Sequence, residues 1–151
     1  MAHMHYKGTG KMHSFRGLLA DGAQEKIRIQ GPVGAIAWRI TKFEVMGNNP
    51  GVSTTECIVK IYREEQSSID GVVNFNDNEL LGAALWHDAD GSAYPLSYQV
   101  IFDNALFSRN IWITNTDVDG AFSCNYYIEL EEVKVSQAGM AQLAVAAARR
   151  T

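Results

Sequence analysis

The clearest pattern in the chain is an alternation of apolar and polar side chains near its C-terminus, over residues 122–135 (FSCNYYIELEEVKV). The apolar side chains first share the parity of Leu130, and beyond Glu131 and Glu132 they take the parity of Val133. A period of two predicts a long β-strand with one buried face. The change of parity predicts a β-bulge at Glu131 and Glu132, because one extra residue in a ladder exchanges the two faces.

Seven earlier stretches also have strand-like patterns, at residues 14–20, 25–30, 35–46, 56–63, 72–75, 96–102 and 110–114. Within residues 35–46 the parity slips again, near Thr41 and Lys42, which predicts a second bulge. Two long strands that change phase favour a β-sandwich whose strands bend from one sheet towards the other. Residues 78–86 (NELLGAALW) place leucines at helical spacing after an asparagine, so we expect one or two helical turns there.

Turn residues separate these stretches. Asp21-Gly22 predicts a tight turn, and residues 47–51 (GNNPG) predict a loop. We expect a hairpin turn at residues 117–120 (DVDG), leading directly into the long strand at 122–135.

The two ends of the chain differ from the centre. Residues 1–12 (MAHMHYKGTGKM) have no period and predict an N-terminal arm. Residues 137–151 are rich in alanine, with apolar side chains on one helical stripe, and predict a short C-terminal helix that needs a partner surface. The predicted organisation is an arm at 1–12, one β-sandwich domain at 13–136 and a helical tail at 137–151.

Charge is distributed unevenly along the 151 residues, whose formal net charge is −4. All 17 acidic residues lie between residues 17 and 136, whereas the two ends carry only basic residues. Basic ends on an acidic body predict docking on a negative neighbour, such as a second copy, and exclude nucleic acid as a ligand of the body. No apolar run is long enough to span a membrane, and no signal peptide is expected.

Motifs for catalysis are absent from the sequence, and His87 is the only histidine after residue 13. We therefore expect neither an enzyme nor a cofactor. Asp88 and Asp90 resemble fragments of a calcium loop, as do Asp117 and Asp119, but both segments are too short for one, so turn roles are expected.

The sequence pattern also allows predictions for the two cysteines and for one group of aromatic and acidic residues. Cys57 and Cys124 lie on the apolar parity of their stretches, which predicts two buried, reduced thiols, with a disulfide as the alternative. Aromatic and acidic side chains cluster around one loop and suggest a site where a sugar ring would stack. These candidate glycan-binding residues are Trp86, His87, Asp88, Asp90 and Tyr94.

The strands and tails together resemble a family. Residues from about 25 to 137 resemble the small jelly-roll virion proteins of tailed bacteriophages, of the minor capsid, cement or decoration class. The resemblance depends on EKIRIQG followed by AIAWRITKFEVM, on ECIVKIYREEQ, and on NYYIELEEVKVS with its alanine-rich tail. It implies an all-β jelly-roll sandwich, trimer-like homo-oligomers, and attachment to a shell of major capsid protein through arms and edges.

We therefore expect a non-enzymatic structural protein of a virion, assembled in the host cytoplasm, with no metal or cofactor and with neither nucleic acid nor membrane as a partner. A glycan- or receptor-binding module of a phage particle is the alternative. Trp112 lies on the polar parity of its stretch, so it either belongs to the outer face of a second buried layer or is an exposed anchor for a partner. The full set of expected partner-binding residues is Tyr6, Lys7, Lys11, Trp112, Met140, Leu143, Ala147, Arg149 and Arg150.

Overall fold

The computed structural model describes residues 6–29, 36–52, 54–88 and 96–136. These residues form eight β-strands, and no helix occurs among them. The strands are β1 (Tyr6–Leu19), β2 (Gln24–Ile27), β3 (Ile36–Gly47), β4 (Thr55–Tyr62), β5 (Leu80–Asp88), β6 (Leu96–Phe102), β7 (Ile111–Asp117) and β8 (Cys124–Val135). The predicted all-β class is confirmed.

Two antiparallel sheets form a sandwich. The smaller sheet has the order β1-β8-β3, and the larger has the order β2-β7-β4-β5-β6. Inward side chains of both sheets belong to one core, in which Val59 and Ile61 of β4 and Ile128 and Leu130 of β8 are completely buried. β8 is the long, late, central strand that its alternation predicts, since its burial also alternates from Cys124 to Leu130.

The predicted bulge in β3 is confirmed. Ile40 pairs with Leu130 and Lys42 pairs with Glu129, so Thr41 is the extra residue. Phe43 on the far side of this bulge then points into the same core as Ile40. The parity slip in the sequence therefore results from the extra residue in the ladder between β3 and β8.

The predicted bulge in β8 is wrong, because Glu131 and Glu132 pair without a shift against β3. At this level the irregularity lies in β1, between Gly8 and Met12. The parity of β8 changes because this end of the strand is buried on both faces. Glu132 faces one side, and Val133 belongs to a second, smaller cluster of buried apolar residues.

The predicted helix at residues 78–86 is also wrong. Residues 80–88 form β5, an inner strand paired with β4 and β6. Both faces of its first half are buried, so apolar residues occupy both parities and imitate helical spacing. Residues 72–75, a predicted short strand, belong to a loop. The described residues still form eight strands, because β5 is present where a helix was predicted.

The predicted N-terminal arm is wrong for residues 6–12. They form the first half of β1, where Tyr6 pairs with Val135 and Lys7 with Lys134 of the same chain. Two glycines, exposed side chains and the β1 bulge hide this strand from period analysis. Residues 1–5 and the predicted helical tail at 137–151 lie outside the described residues.

The turn expected at residues 117–120 is present but does not close a hairpin. It connects β7 of the larger sheet to β8 of the smaller one. The turn at Asp21-Gly22 likewise connects the two sheets, and Gly22 there has a φ of 77°. That backbone conformation suits glycine.

Candidate functional site

A buried lysine holds a long loop across the outer face of the larger sheet. Lys60 of β4 is only 2 % exposed. Its ammonium group donates a hydrogen bond to the carbonyl oxygen of Val72 over 2.6 Å and forms an ion pair with Asp70 at 3.2 Å. The hydrogen bond from Lys60 holds the pKa of Asp70 below its ordinary value. The loop between β4 and β5 is thus tied down near its middle.

This attachment leaves a row of apolar side chains facing solvent, which we call the apolar ridge. It consists of Val72, Val73 and Phe75, which are 66 %, 40 % and 65 % exposed. Large apolar side chains that lie together on the surface mark sites of interaction, whereas single ones are ordinary.

Grooves lie beside the ridge. A groove of about 280 Å³ is lined by Val73 and Phe75 of the loop, by Ile101 of β6, and by Ile58 and Leu85 of the sheet. A second groove of about 210 Å³ shares Phe75 and Ile101. Phe75 therefore stands between two apolar depressions on the same side of the molecule.

Acidic residues surround the ridge in sequence. The loop of residues 63–79 contains Arg63 as its one basic residue. Its acidic residues are Glu64, Glu65, Asp70, Asp77 and Glu79. Two of these acids are paired within the protein, Asp70 with Lys60 and Glu64 with Arg109. A loop that combines exposed apolar side chains with an excess of acidic residues is complementary to an apolar protein surface that also carries basic residues.

Edge strand β6 borders the ridge through Ile101, whereas its Tyr98 side chain turns towards β3 of the other sheet. Its residues Tyr98, Ile101 and Phe102 are exposed. The Tyr98 hydroxyl donates a hydrogen bond to the Glu44 carboxylate and accepts one from the backbone N–H of Val45 at 3.3 Å. Burial and the bond to Glu44 raise the pKa of Tyr98 to about 12.

The candidate glycan residues do not form a sugar site in the described part of the chain. Trp86 is 6 % exposed and belongs to the core, where its ring meets Tyr98 edge-on at 6.2 Å. Asp88 is buried and accepts the N–H of Gly51 at 2.6 Å, and His87 is half-buried. Asp90 and Tyr94 lie outside the described residues. Trp86 consequently offers no ring face on which a sugar could stack.

Asp117 has a structural role in the turn before β8. Its carboxylate accepts backbone N–H groups from Glu56, Asp119, Gly120 and Phe122 at 3.0–3.1 Å. Burial favours the neutral acid, but these four donors together hold the pKa of Asp117 below its ordinary value. The described residues contain no group of three or more His, Cys, Asp or Glu placed to bind a metal ion.

Cys57 and Cys124 are free thiols within the core, as predicted. They belong to opposite sheets, to β4 and β8 respectively. A hydrogen bond with Cys124, together with burial, raises the pKa of the Cys57 thiol. A thiol in this state is a poor nucleophile.

The expected partner-binding residues are spread over the molecule. Lys11 of β1 forms an ion pair with Glu132 at 3.5 Å, and His13 approaches the same carboxylate at 3.0 Å. The hydrogen bond from His13 is the main reason that the pKa of Glu132 is lowered. Trp112 of β7 is half-buried beneath the Lys26 ammonium group, 5.6 Å from its ring centre.

The remaining expected residues are described only in part. Tyr6 and Lys7 begin β1, and only their backbone pairing is described. Met140, Leu143, Ala147, Arg149 and Arg150 lie outside the described residues. Of the described residues in this set, Tyr6, Lys7 and Lys11 share β1 of the smaller sheet, whereas Trp112 lies on β7 of the larger sheet.

Sequence reasoning predicted the β6 strand with its observed bounds, but it missed the ridge and the position of β6 at the edge of a sheet. One signal was present, since residues 96–102 (LSYQVIF) contain no charged residue. The isolated Phe75 among polar neighbours was a second signal. Neither reveals an exposed position without knowledge of the sheet order.

The order of the strands makes this protein an antiparallel β-sandwich of two sheets, and its larger sheet carries the apolar ridge. Comparisons of the chain with protein-family models, curated proteins and solved structures find no match. Within the described residues no helix is long and apolar enough to cross a membrane.

Proposed function

We propose that this protein is a non-enzymatic structural component of a virion that cements or decorates a capsid shell. The observation that carries the proposal is the apolar ridge of Val72, Val73 and Phe75, held in place by Lys60 and bordered by grooves. Such a surface is suited to a protein neighbour. The excess of acidic residues in the loop argues for a neighbour that combines basic residues with an apolar patch, and against nucleic acid.

Sheet order supports a jelly roll as the finer description of the fold. A jelly roll arises when a long hairpin, pairing strand 1 with 8, 2 with 7, 3 with 6 and 4 with 5, wraps into two sheets. Three of these pairs are present as ladders, namely β1 with β8, β2 with β7 and β4 with β5. The fourth pair, β3 with β6, is joined by the Tyr98 hydroxyl instead of a ladder.

Several ionisable side chains within the fold support a structural role. Lys60 secures the loop, Asp117 holds the turn before β8, and Glu132 receives Lys11 and His13. Each has protein partners that account for its position. In this proposal the rigid sandwich presents the ridge, while homo-oligomers and the major capsid protein or another virion protein are the neighbours.

Binding to empty shells of the same virus tests the proposal. We expect the protein to co-sediment with shells assembled from the major capsid protein, and Phe75→Asp to abolish this co-sedimentation while unfolding at an unchanged denaturant concentration. Val52→Asp is the matched control, because Val52 is an exposed apolar loop residue, 59 % accessible, outside the ridge. No co-sedimentation by the unmodified protein, or equal loss with both variants, would contradict the proposal.

A further inference from the structure

Among the described residues the two sheets present four edge strands, and three of them carry charged residues. The edges are β1 and β3 of the smaller sheet and β2 and β6 of the larger. β1 carries Lys7, Lys11 and Arg16; β2 carries Glu25 and Lys26; β3 carries Arg39, Lys42 and Glu44. Charged side chains on an edge disfavour pairing with another strand. β6 has neither a charged residue nor a proline, so of these four described edges it is the one without protective residues.

The backbone of β6 offers hydrogen-bonding groups on its open side. Asp103 donates its N–H to the carbonyl of Leu81 at 2.7 Å, one position beyond the Phe102–Gly82 pair. In an antiparallel ladder this makes Phe102 a non-hydrogen-bonded position towards β5. Since the pattern alternates, the residues whose N–H and C=O groups point away from β5 are Leu96, Tyr98, Val100 and Phe102.

Side chains of β6 favour a copy of the same strand as the occupant of this edge. At a two-fold axis only the residue on the axis meets its own copy, and every other residue meets one from the opposite side of the axis. A strand whose charges all have one sign therefore opposes like charges. β6 avoids this cost because it is uncharged. Its exposed apolar residues Ile101 and Phe102, 45 % and 37 % accessible, also become covered in such a pair.

We propose that β6 pairs antiparallel with β6 of a second copy, with the two-fold axis at Gln99. This register uses the whole strand and places Tyr98 opposite the partner subunit's Val100, both of which have outward backbone groups. It joins the two larger sheets into one continuous sheet. The inference deepens the proposed function by naming one neighbour, and it does not depend on a shell.

A cysteine at position 99 tests the register. In the proposed dimer the two Gln99 residues form a non-hydrogen-bonded pair with Cα atoms about 4.5 Å apart, which lies within the range of a disulfide. We expect Gln99→Cys to give a covalent dimer under mild oxidation, seen by non-reducing electrophoresis and intact mass. Cys57 and Cys124 are buried and add no background.

Ile101→Cys is the matched control. Position 101 is exposed on the same strand, but its symmetry mate lies about 13 Å along the pair, since each residue advances by roughly 3.3 Å. We expect this variant to stay monomeric on a denaturing gel. Equal cross-linking of both variants, or none with folded Gln99→Cys, would overturn the β6 pairing.

A charge at the axis provides a second measurement. Gln99→Lys places two ammonium groups opposite each other, so we expect the dimer Kd from sedimentation velocity to rise about fivefold at low salt and to recover at high salt. Val118→Lys, at an exposed residue in the turn after β7, should leave the Kd unchanged. An unchanged Kd for Gln99→Lys overturns the inference.

The outcomes separate the two proposals. If the unmodified protein binds shells but Gln99→Cys does not cross-link, the pairing fails and the proposed function stands. If Gln99→Cys cross-links while the protein does not bind shells, the reverse holds.

Discussion

The Tyr98 hydroxyl donates a hydrogen bond to the Glu44 carboxylate, and this bond joins edge strand β6 of one sheet to edge strand β3 of the other. The same oxygen accepts the backbone N–H of Val45. The Tyr98 side chain thus links β6 to β3, two described strands that do not pair with each other in a ladder. It also occupies part of the β3 edge, since the Val45 N–H is bonded to it.

Removing this hydroxyl should weaken the sandwich. We expect Tyr98→Phe to lower the free energy of unfolding by about 1 kcal/mol, because it removes one donor and leaves the Val45 N–H without its acceptor. Urea unfolding measures the change. Tyr127→Phe is the control, since the Tyr127 hydroxyl bonds Glu129 of its own strand and joins no sheets. A loss with Tyr127→Phe equal to that with Tyr98→Phe would contradict the linking role.

The same residue should make stability depend on alkaline pH. The pKa of Tyr98 is raised to about 12 in the folded protein, and an unfolded tyrosine titrates near pH 10. The unfolded state therefore loses this proton first, so the contribution of Tyr98 is complete below about pH 10 and is lost as the pH rises through about 12. Unfolding free energies across this window should fall more steeply for the unmodified protein than for Tyr98→Phe. Parallel pH profiles would argue against this contribution.

Gly47 and Trp86 should be energetically coupled. A Cβ atom at Gly47, the last residue of β3, would overlap the indole Nε1 of Trp86. We expect Gly47→Ala to destabilise the fold by about 1–3 kcal/mol through overpacking. In a background of Trp86→Phe, which removes the indole nitrogen, most of this additional loss should disappear in a double-mutant cycle. Strictly additive losses would show that the two residues do not oppose each other.

Asp117 should support the fold through its charge. Asp117→Asn replaces one accepting oxygen with an amide donor that faces backbone N–H groups, so we expect a loss of roughly 1–3 kcal/mol at neutral pH. Because the pKa of Asp117 is lowered on folding, its contribution is present above the ordinary carboxyl pKa of about 4 and is lost as the pH falls through the lowered value. The difference from the unmodified protein should therefore shrink in acid. Asp119→Asn, at an exposed neighbour, is the control in the same urea titrations; a similar loss with it would refute the assignment.

Lys60 should determine whether the apolar ridge is ordered. Lys60→Met keeps the apolar stem but removes the bonds to Asp70 and to the Val72 carbonyl. We expect faster amide hydrogen exchange around residues 70–75 and weaker binding to shells, with the strands of the core still protected. Lys26→Met, which removes an exposed ammonium group over Trp112, should leave the loop unchanged. Unaltered exchange in Lys60→Met would show that other contacts hold the loop.

Sequence alone determined the strands that have one buried face. The alternation in β8 and the slip at Thr41 in β3 can be read from the sequence, because every second side chain of such a strand must reach the core. Burial of the two thiols followed from the same parity.

Tertiary structure decided the remaining features, since they depend on what covers each strand. β5 resembled a helix because neighbours cover both faces of its first half, and residues 6–12 joined β1 because β8 supplies the hydrogen bonds. Phe75 is exposed on a loop that Lys60, a residue from a different element, ties to the sheet, and the edge position of β6 follows only from sheet order. Periodicity reports which way a side chain points, but only packing determines whether that direction leads to core, solvent or another chain.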